Sequence, residues 1–200
     1  HRTSRPGEYA SLPRHPGGFL SFEGATFRDG STISIVRVTE AGINCSWLGD
    51  SEIRIYKDGA ELWRSPRHGC GNEEELTSSH VTKLTRAPSW CLTVVDDDTI
   101  SMEEGLYFHY GYDPIAKDED TLAMTRALGH NNRTHTIPQK ETISMIDEGG
   151  LLSGAWKVVV GSDGVWDMIH DGDAAFLSCP STGAQNIAEF VEARWKKEWA

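Results

Sequence analysis

The sequence predicts an α+β sandwich of antiparallel sheets, and three observations carry that prediction. Short β-branched segments with clean alternation crowd the stretch after Gly30, Asp/Gly turns separate them, and helical patterning is confined to the later part of the chain. Strands first and mixed elements later is the order of an α+β domain. A doubly wound parallel sheet would alternate strand and helix throughout.

Residues 1–29 are rich in Gly, Pro and Arg and show no sustained period, so they read as an irregular N-terminal arm, with residues 30–200 forming the domain. Thr32–Val38 is β-branched and alternating, Ile43–Leu48 is similar, and Glu52–Tyr56 alternates apolar and polar. Gly49-Asp50-Ser51 separates the second from the third, and Lys57-Asp58-Gly59 follows the third. Asp and Gly tolerate the backbone angles of tight hairpins, so the three segments predict a consecutive antiparallel meander. Arg64–Ser89 is polar and irregular and predicts a long excursion holding one short helix. Trp90–Val95 and Leu106–Tyr110 predict two further strands on either side of the acidic turn Asp96-Asp97-Asp98.

Asp118-Glu119-Asp120 precedes a run of good helix formers, Leu122–Leu128, and Gly129 follows it. Acids before and glycine after predict a short helix there. Trp156–Val160 is an apolar run of strand length ended by Gly161-Ser162-Asp163-Gly164. Two helices are expected beyond it, Asp171–Leu177 and Thr182–Glu198, the second with an amphipathic face of Ile187, Phe190, Val191, Ala193, Arg194 and Trp195.

The chain has 200 residues, of which 38% are apolar, enough for one packed core. A net charge of -11 and a pI near 5.1 oppose association with nucleic acid or anionic membranes. No apolar run approaches the roughly 20 residues that cross a bilayer, and the start lacks an apolar leader, so a soluble, intracellular protein is expected. The chain opens on His1 rather than methionine, as a processed or partial chain does. Cys45, Cys70, Cys91 and Cys179 are scattered without CxxC spacing and read as reduced, buried thiols. The clustered His68, Cys70, His80 and Cys91 likewise lack zinc spacing.

Two aspartates share one local setting. Asp50 lies in a Gly-Asp-Ser turn after an apolar strand, and Asp163 in Ser-Asp-Gly after Val158-Val159-Val160. A carboxylate at the tip of a rigid strand is held in place yet faces solvent, as a hard cation such as Mg²⁺ or Mn²⁺ requires of an oxygen ligand. Singly, an Asp beside Gly is more often a plain turn residue. The order of the surrounding words adds weight.

Gly30-Ser31-Thr32, Gly49-Asp50-Ser51, Leu122-Ala123-Met124-Thr125-Arg126-Ala127-Leu128-Gly129 and Gly161-Ser162-Asp163-Gly164-Val165-Trp166-Asp167 occur in that order. Together they resemble the metal-dependent protein serine/threonine phosphatases of type 2C, whose corresponding words read close to GST, GDS, LAVSRALGD and SDGLWD. The resemblance implies a sandwich of two antiparallel sheets flanked by helices, here lacking the family's N-terminal and final strands. It also implies Mg²⁺ or Mn²⁺ at one edge, activating a water to attack phosphoserine or phosphothreonine. Asp163 then corresponds to a core metal ligand and Asp50 to an acid beside a further ion, while Thr125 and Arg126 match a structural Ser-Arg pair.

The departures from the family pattern bear on activity. The DGHGG word is absent, no phosphate-holding arginine is identifiable near the start, and His130 stands where the family has an aspartate. His130 has two readings: an imidazole ligand that alters metal preference, or a turn residue left where a ligand was lost. The expectation is therefore a phosphatase-like domain, impaired as a catalyst, that serves as a binding or structural subunit for a protein partner in a larger assembly. The alternative is an active Mg²⁺/Mn²⁺-dependent phosphatase acting on phosphoproteins, its missing ligands lying outside this chain.

Overall fold

The structure is a computed structural model that describes residues 21–22, 25–26, 30–69, 72–76, 84–94, 100–113, 118–122, 124–129, 137–148 and 153–199. The described arm contributes one short pair, β1 (Ser21–Phe22) with β2 (Ala25–Thr26). The strands that follow are β3 (Gly30–Ser31), β4 (Ile33–Val38), β5 (Gly42–Leu48), β6 (Glu52–Lys57) and β7 (Ala60–Arg64). A one-turn helix, α1 (Glu73–Leu76), leads to β8 (Leu84–Val94), β9 (Ile100–Asp113) and β10 (Asp118–Leu122). After β11 (Leu128–Gly129), β12 (Gln139–Ser144) and β13 (Trp156–Gly161) come α2 (Asp163–Trp166), a 3-10 turn at Asp171–Asp173, α3 (Ala174–Ser178) and α4 (Ala184–Trp199). Among the described residues every strand pairing is antiparallel and the helices α2, α3 and α4 follow the strands, so the α+β class expected from the sequence is observed.

Two three-stranded sheets form the centre, ordered β12-β5-β4 and β13-β6-β7. Alternation explains how they meet. Ile43, Cys45 and Trp47 of β5 point to one side, Ile53 and Ile55 of β6 meet them, and Val36, Trp63, Ile143, Trp156 and Val158 complete a shared core. The opposite face of β13-β6 carries Tyr56 and Val159, and the helical part covers it with Trp166, Met168, Ile169, Leu177, Ile187 and Val191. In α4 the predicted apolar face is largely correct: Ile187, Phe190, Val191 and Trp195 pack inward, whereas Ala193 is exposed and Arg194 is bound to Asp173 at 2.6 Å. No described helix is long and apolar enough to cross a membrane.

Several expectations need correction. β5 and β6 are not neighbours in one meander. Gly49-Asp50-Ser51 carries the chain from one sheet to the other, because both strands have apolar faces that are buried only when the sheets stack. β4 and β5 do pair as expected, and the turn after β6 closes a hairpin with β7, where Asp58 (φ 51°) and Gly59 (φ 85°) supply the two positive-φ positions of a type I′ turn.

The helix expected over Leu122–Leu128 is absent. Leu122 ends β10, Met124 bridges Gly69, and Leu128–Gly129 pairs with Gly30–Ser31. Tertiary hydrogen bonds, including Thr125 N–H donating to His68 O at 3.0 Å, outweigh the local helix propensity.

The irregular excursion ends earlier than expected, since β8 begins at Leu84. Its register against β9 shifts between Arg86 and Trp90, the stretch of the strand in which Pro88 falls. β12 escapes sequence reading because Gln139-Lys140-Glu141-Thr142 is polar, as suits the exposed face of an edge strand. The acidic turn Asp96–Asp98 and His130 lie outside the described residues.

Candidate functional site

Three of the four family-like words meet around Gly49. β3 and β11 pair Gly30 with Gly129 and Ser31 with Leu128. Thr32 Oγ1 lies 2.6 Å from Ser51 Oγ, and Ser34 Oγ donates to Ser51 O at 3.1 Å. A Cβ on Gly49 would sit 2.3 Å from Thr32 Cγ2 and 3.3 Å from Arg126 O, and φ there is +106°. Both the close approach and the backbone angle call for glycine. The fourth word arrives by sheet register: β13 pairs Gly161 with Glu52, which sets Asp163, at the start of α2, beside the Asp50 crossover.

Asp50 and Asp163 are brought together. Burial pushes the Asp50 carboxyl above its ordinary pKa, and the charge of Asp163 adds to the rise; Arg67 partly offsets it. Asp163 is exposed, and its Oδ1 accepts Gly164 N–H at 2.7 Å. The turn is braced from behind. Trp166 Nε1 donates to Gly161 O at 2.9 Å and Glu52 O at 3.2 Å, and Trp195 Nε1 of α4 donates to Gly164 O at 2.8 Å.

Next to this pair lies a charged network that sequence reasoning missed. Glu52 is almost fully buried and accepts from Arg54 Nε and, at 3.0 Å, from Arg67 Nε. Arg67 Nη1 in turn donates to Asp167 Oδ1 at 2.8 Å, and the Arg54 guanidinium lies 4.2 Å from the centre of the Trp166 ring. Burial raises the pKa of Asp167, Arg67 opposes that rise, and the charges of Asp163 and Glu52 reinforce it. Burial also disfavours the Arg67 charge, but bonding to Asp167 and the nearby Glu52 charge together raise its pKa above the ordinary arginine value. Asp167 carried a signal, as the last letter of the fourth word; Arg67 and Glu52 carried none.

A second network fixes the crossover from its other side. His68 is completely buried, with Nδ1 accepting Gly49 N–H at 2.9 Å, Nε2 facing Gln139 Oε1 at 3.1 Å, and its ring stacked on Trp47. Those partners require the neutral ring with its proton on Nε2. Burial depresses the His68 pKa, and the Arg126 charge lowers it further. Glu75 of α1, also buried, accepts from Thr125 Oγ1 and from Arg126 Nη2 at 2.6 Å. Thr125 and Arg126 thus both hold Glu75, a partner the sequence did not reveal.

Among the described residues, no three His, Cys, Asp or Glu side chains are grouped so as to hold a metal ion. Asp167 is engaged by Arg67, which leaves Asp50 and Asp163 as two carboxylates for an ion that takes about six oxygen ligands. The described donor set does not fit a Mg²⁺ or Mn²⁺ pair.

Neither protein-family models, nor curated proteins, nor solved structures yield a match to this chain.

Proposed function

We propose that this chain is a phosphatase-like domain of the type 2C kind with a degenerate catalytic edge, acting as a binding or structural subunit rather than as a catalyst. The observation that supports this reading is the joint placement of Asp50 and Asp163 at one sandwich edge, with Asp167 tied to Arg67. Four words distant in sequence would have no common reason to gather there by chance; among the described residues no third unengaged carboxylate stands beside the pair to organise a metal that would form hydroxide at neutral pH. A protein partner has surface to use: Ile35 (54% exposed) and Val38 (53% exposed) lie on β4, an edge strand of its sheet among the described residues.

The test is Mn²⁺-dependent release of phosphate from a phosphothreonine peptide by the purified chain, run beside native-mass analysis of the assembly it enters. No turnover above an Asp163→Asn control, together with a stable complex, is the expected result. Robust turnover lost in Asp163→Asn would instead favour the second reading, an active Mg²⁺/Mn²⁺-dependent phosphatase completed by further ligands. That alternative draws on one feature, the raised pKa of Asp50, to which burial and then the charge of Asp163 contribute and which a cation would relieve.

A further inference from the structure

The acidic edge gathers Asp50, Glu52, Asp163 and Asp167 from the β5–β6 crossover, the start of β6 and the α2 turn. Two guanidinium groups answer that charge. Arg54 is committed to Glu52 and lies over the Trp166 ring, whereas Arg67 spans the edge, from Glu52 Oε2 at 3.0 Å to Asp167 Oδ1 at 2.8 Å. Its backbone is pinned as well: Asn72 Nδ2 donates to Arg67 O at 3.0 Å, and the adjacent His68 N–H donates to Gly49 O at 3.1 Å. The Arg67 side chain is only one-third exposed, so the fork is held between its carboxylates instead of extending into solvent.

We propose that Arg67 is a built-in cation that occupies the electrostatic place of a divalent metal ion at this edge, excluding the ion while holding Glu52 and Asp167 in position. A planar fork satisfies two carboxylates at once and needs no dehydration of an incoming ion. A divalent cation entering beside it would face like-charge repulsion and would find Asp167 already engaged. The inference rests on the reading of a degenerate catalytic edge and adds its physical cause: a positive side chain has replaced the ion, so that removing the side chain re-creates a cation site.

The experiment titrates Mn²⁺ alone, by calorimetry, into the full chain and into Arg67→Ala. Expected are no saturable binding by the native chain up to about 1 mM, and binding at least roughly tenfold tighter by Arg67→Ala that disappears in Arg67→Ala/Asp163→Asn. Saturable binding by the native chain that Asp163→Asn removes overturns the proposal, as does a folded Arg67→Ala that binds no better than native. Should Arg67→Ala fail to fold, amide NMR of the native chain decides. Selective Mn²⁺ broadening of the 49–51 and 161–164 amides refutes the assignment, and unchanged lines support it. Phosphopeptide turnover without Mn²⁺ binding would defeat the underlying functional reading and leave Arg67 in its role; Mn²⁺ binding without turnover would do the reverse.

Discussion

The carboxylate of Asp163 acts on Asp50 across the sandwich edge, opposing its ionisation in addition to the effect of burial. The pair sits at the end of β13 and at the crossover leading into β6, two strands locked in register by the pairing of Gly161 with Glu52. That ladder fixes the backbone from which each carboxylate projects.

Asp50→Asn is therefore expected to stabilise the fold at pH 7, by about 0.5–1 kcal/mol. The sign follows from linkage: a carboxyl with a raised folded pKa contributes stability that is fully present below its ordinary value of 3.8 and is lost as pH rises through the folded value. The advantage of Asn should accordingly vanish as pH falls toward 3.8. Urea unfolding of both proteins between these limits measures it, and a destabilised Asp50→Asn at pH 7 would contradict the repulsion.

His68 supplies the opposite pH dependence. Its folded pKa lies below the ordinary 6.5, so the unfolded chain takes up the proton first as pH falls, and stability drops from about pH 6.5 downward until the folded value is reached. The groups facing the ring are Gly49 N–H, Gln139, Trp47 and the charges of Glu75 and Arg126. His68→Asn keeps an acceptor for Gly49 N–H but cannot titrate. Its stability should be flatter than that of the native chain between about pH 7 and 5; parallel curves would place the titration elsewhere.

Glu75 accepts from two different residues while nearly inaccessible to water, and burial works against its charge until Arg126 and Thr125 bring its pKa below the ordinary value. Glu75→Ala leaves the Arg126 guanidinium without that partner and is expected to cost about 3 kcal/mol. Glu75→Gln, which retains the acceptor oxygen, should cost less. Guanidinium chloride midpoints for the two variants check the order.

Gly49→Ala tests the crossover itself. The added methyl would meet Thr32 Cγ2 at 2.3 Å in a backbone conformation with φ +106°, so a loss of more than about 2 kcal/mol is expected. Thr32→Ser removes the obstructing methyl and should recover part of that loss in the double variant, a coupling that thermal unfolding of the four proteins resolves.

Much of the fold was legible locally. The alternation in Thr32–Val38, Ile43–Leu48 and Glu52–Tyr56 marks strands, Lys57-Asp58-Gly59 marks a hairpin turn, and four of the six residues expected on the apolar face of α4, Ile187, Phe190, Val191 and Trp195, pack inward. The helix assigned to Leu122–Leu128 failed for an identifiable reason: good helix formers there are overruled by Gly30–Ser31, Gly69 and Glu75, none of them near in sequence. Of the site, Asp50 and Asp163 could be found because glycine and a strand end leave a mark in the sequence. Arg67, Glu52, His68 and Glu75 could not, since their significance lies in which groups they reach.

The amino-acid order alone marked the strands β4, β5, β6 and β13, the turn at Asp58-Gly59 and the apolar stripe of α4, because period, propensity and glycine's backbone freedom act over a few neighbours. Tertiary structure decided that Gly49–Ser51 joins two stacked sheets instead of closing a hairpin, and that Asp167 belongs to Arg67. Apolar faces and charges are satisfied by whichever distant partner the packed chain brings within a few ångströms, and the alternating pattern of one strand does not name that partner.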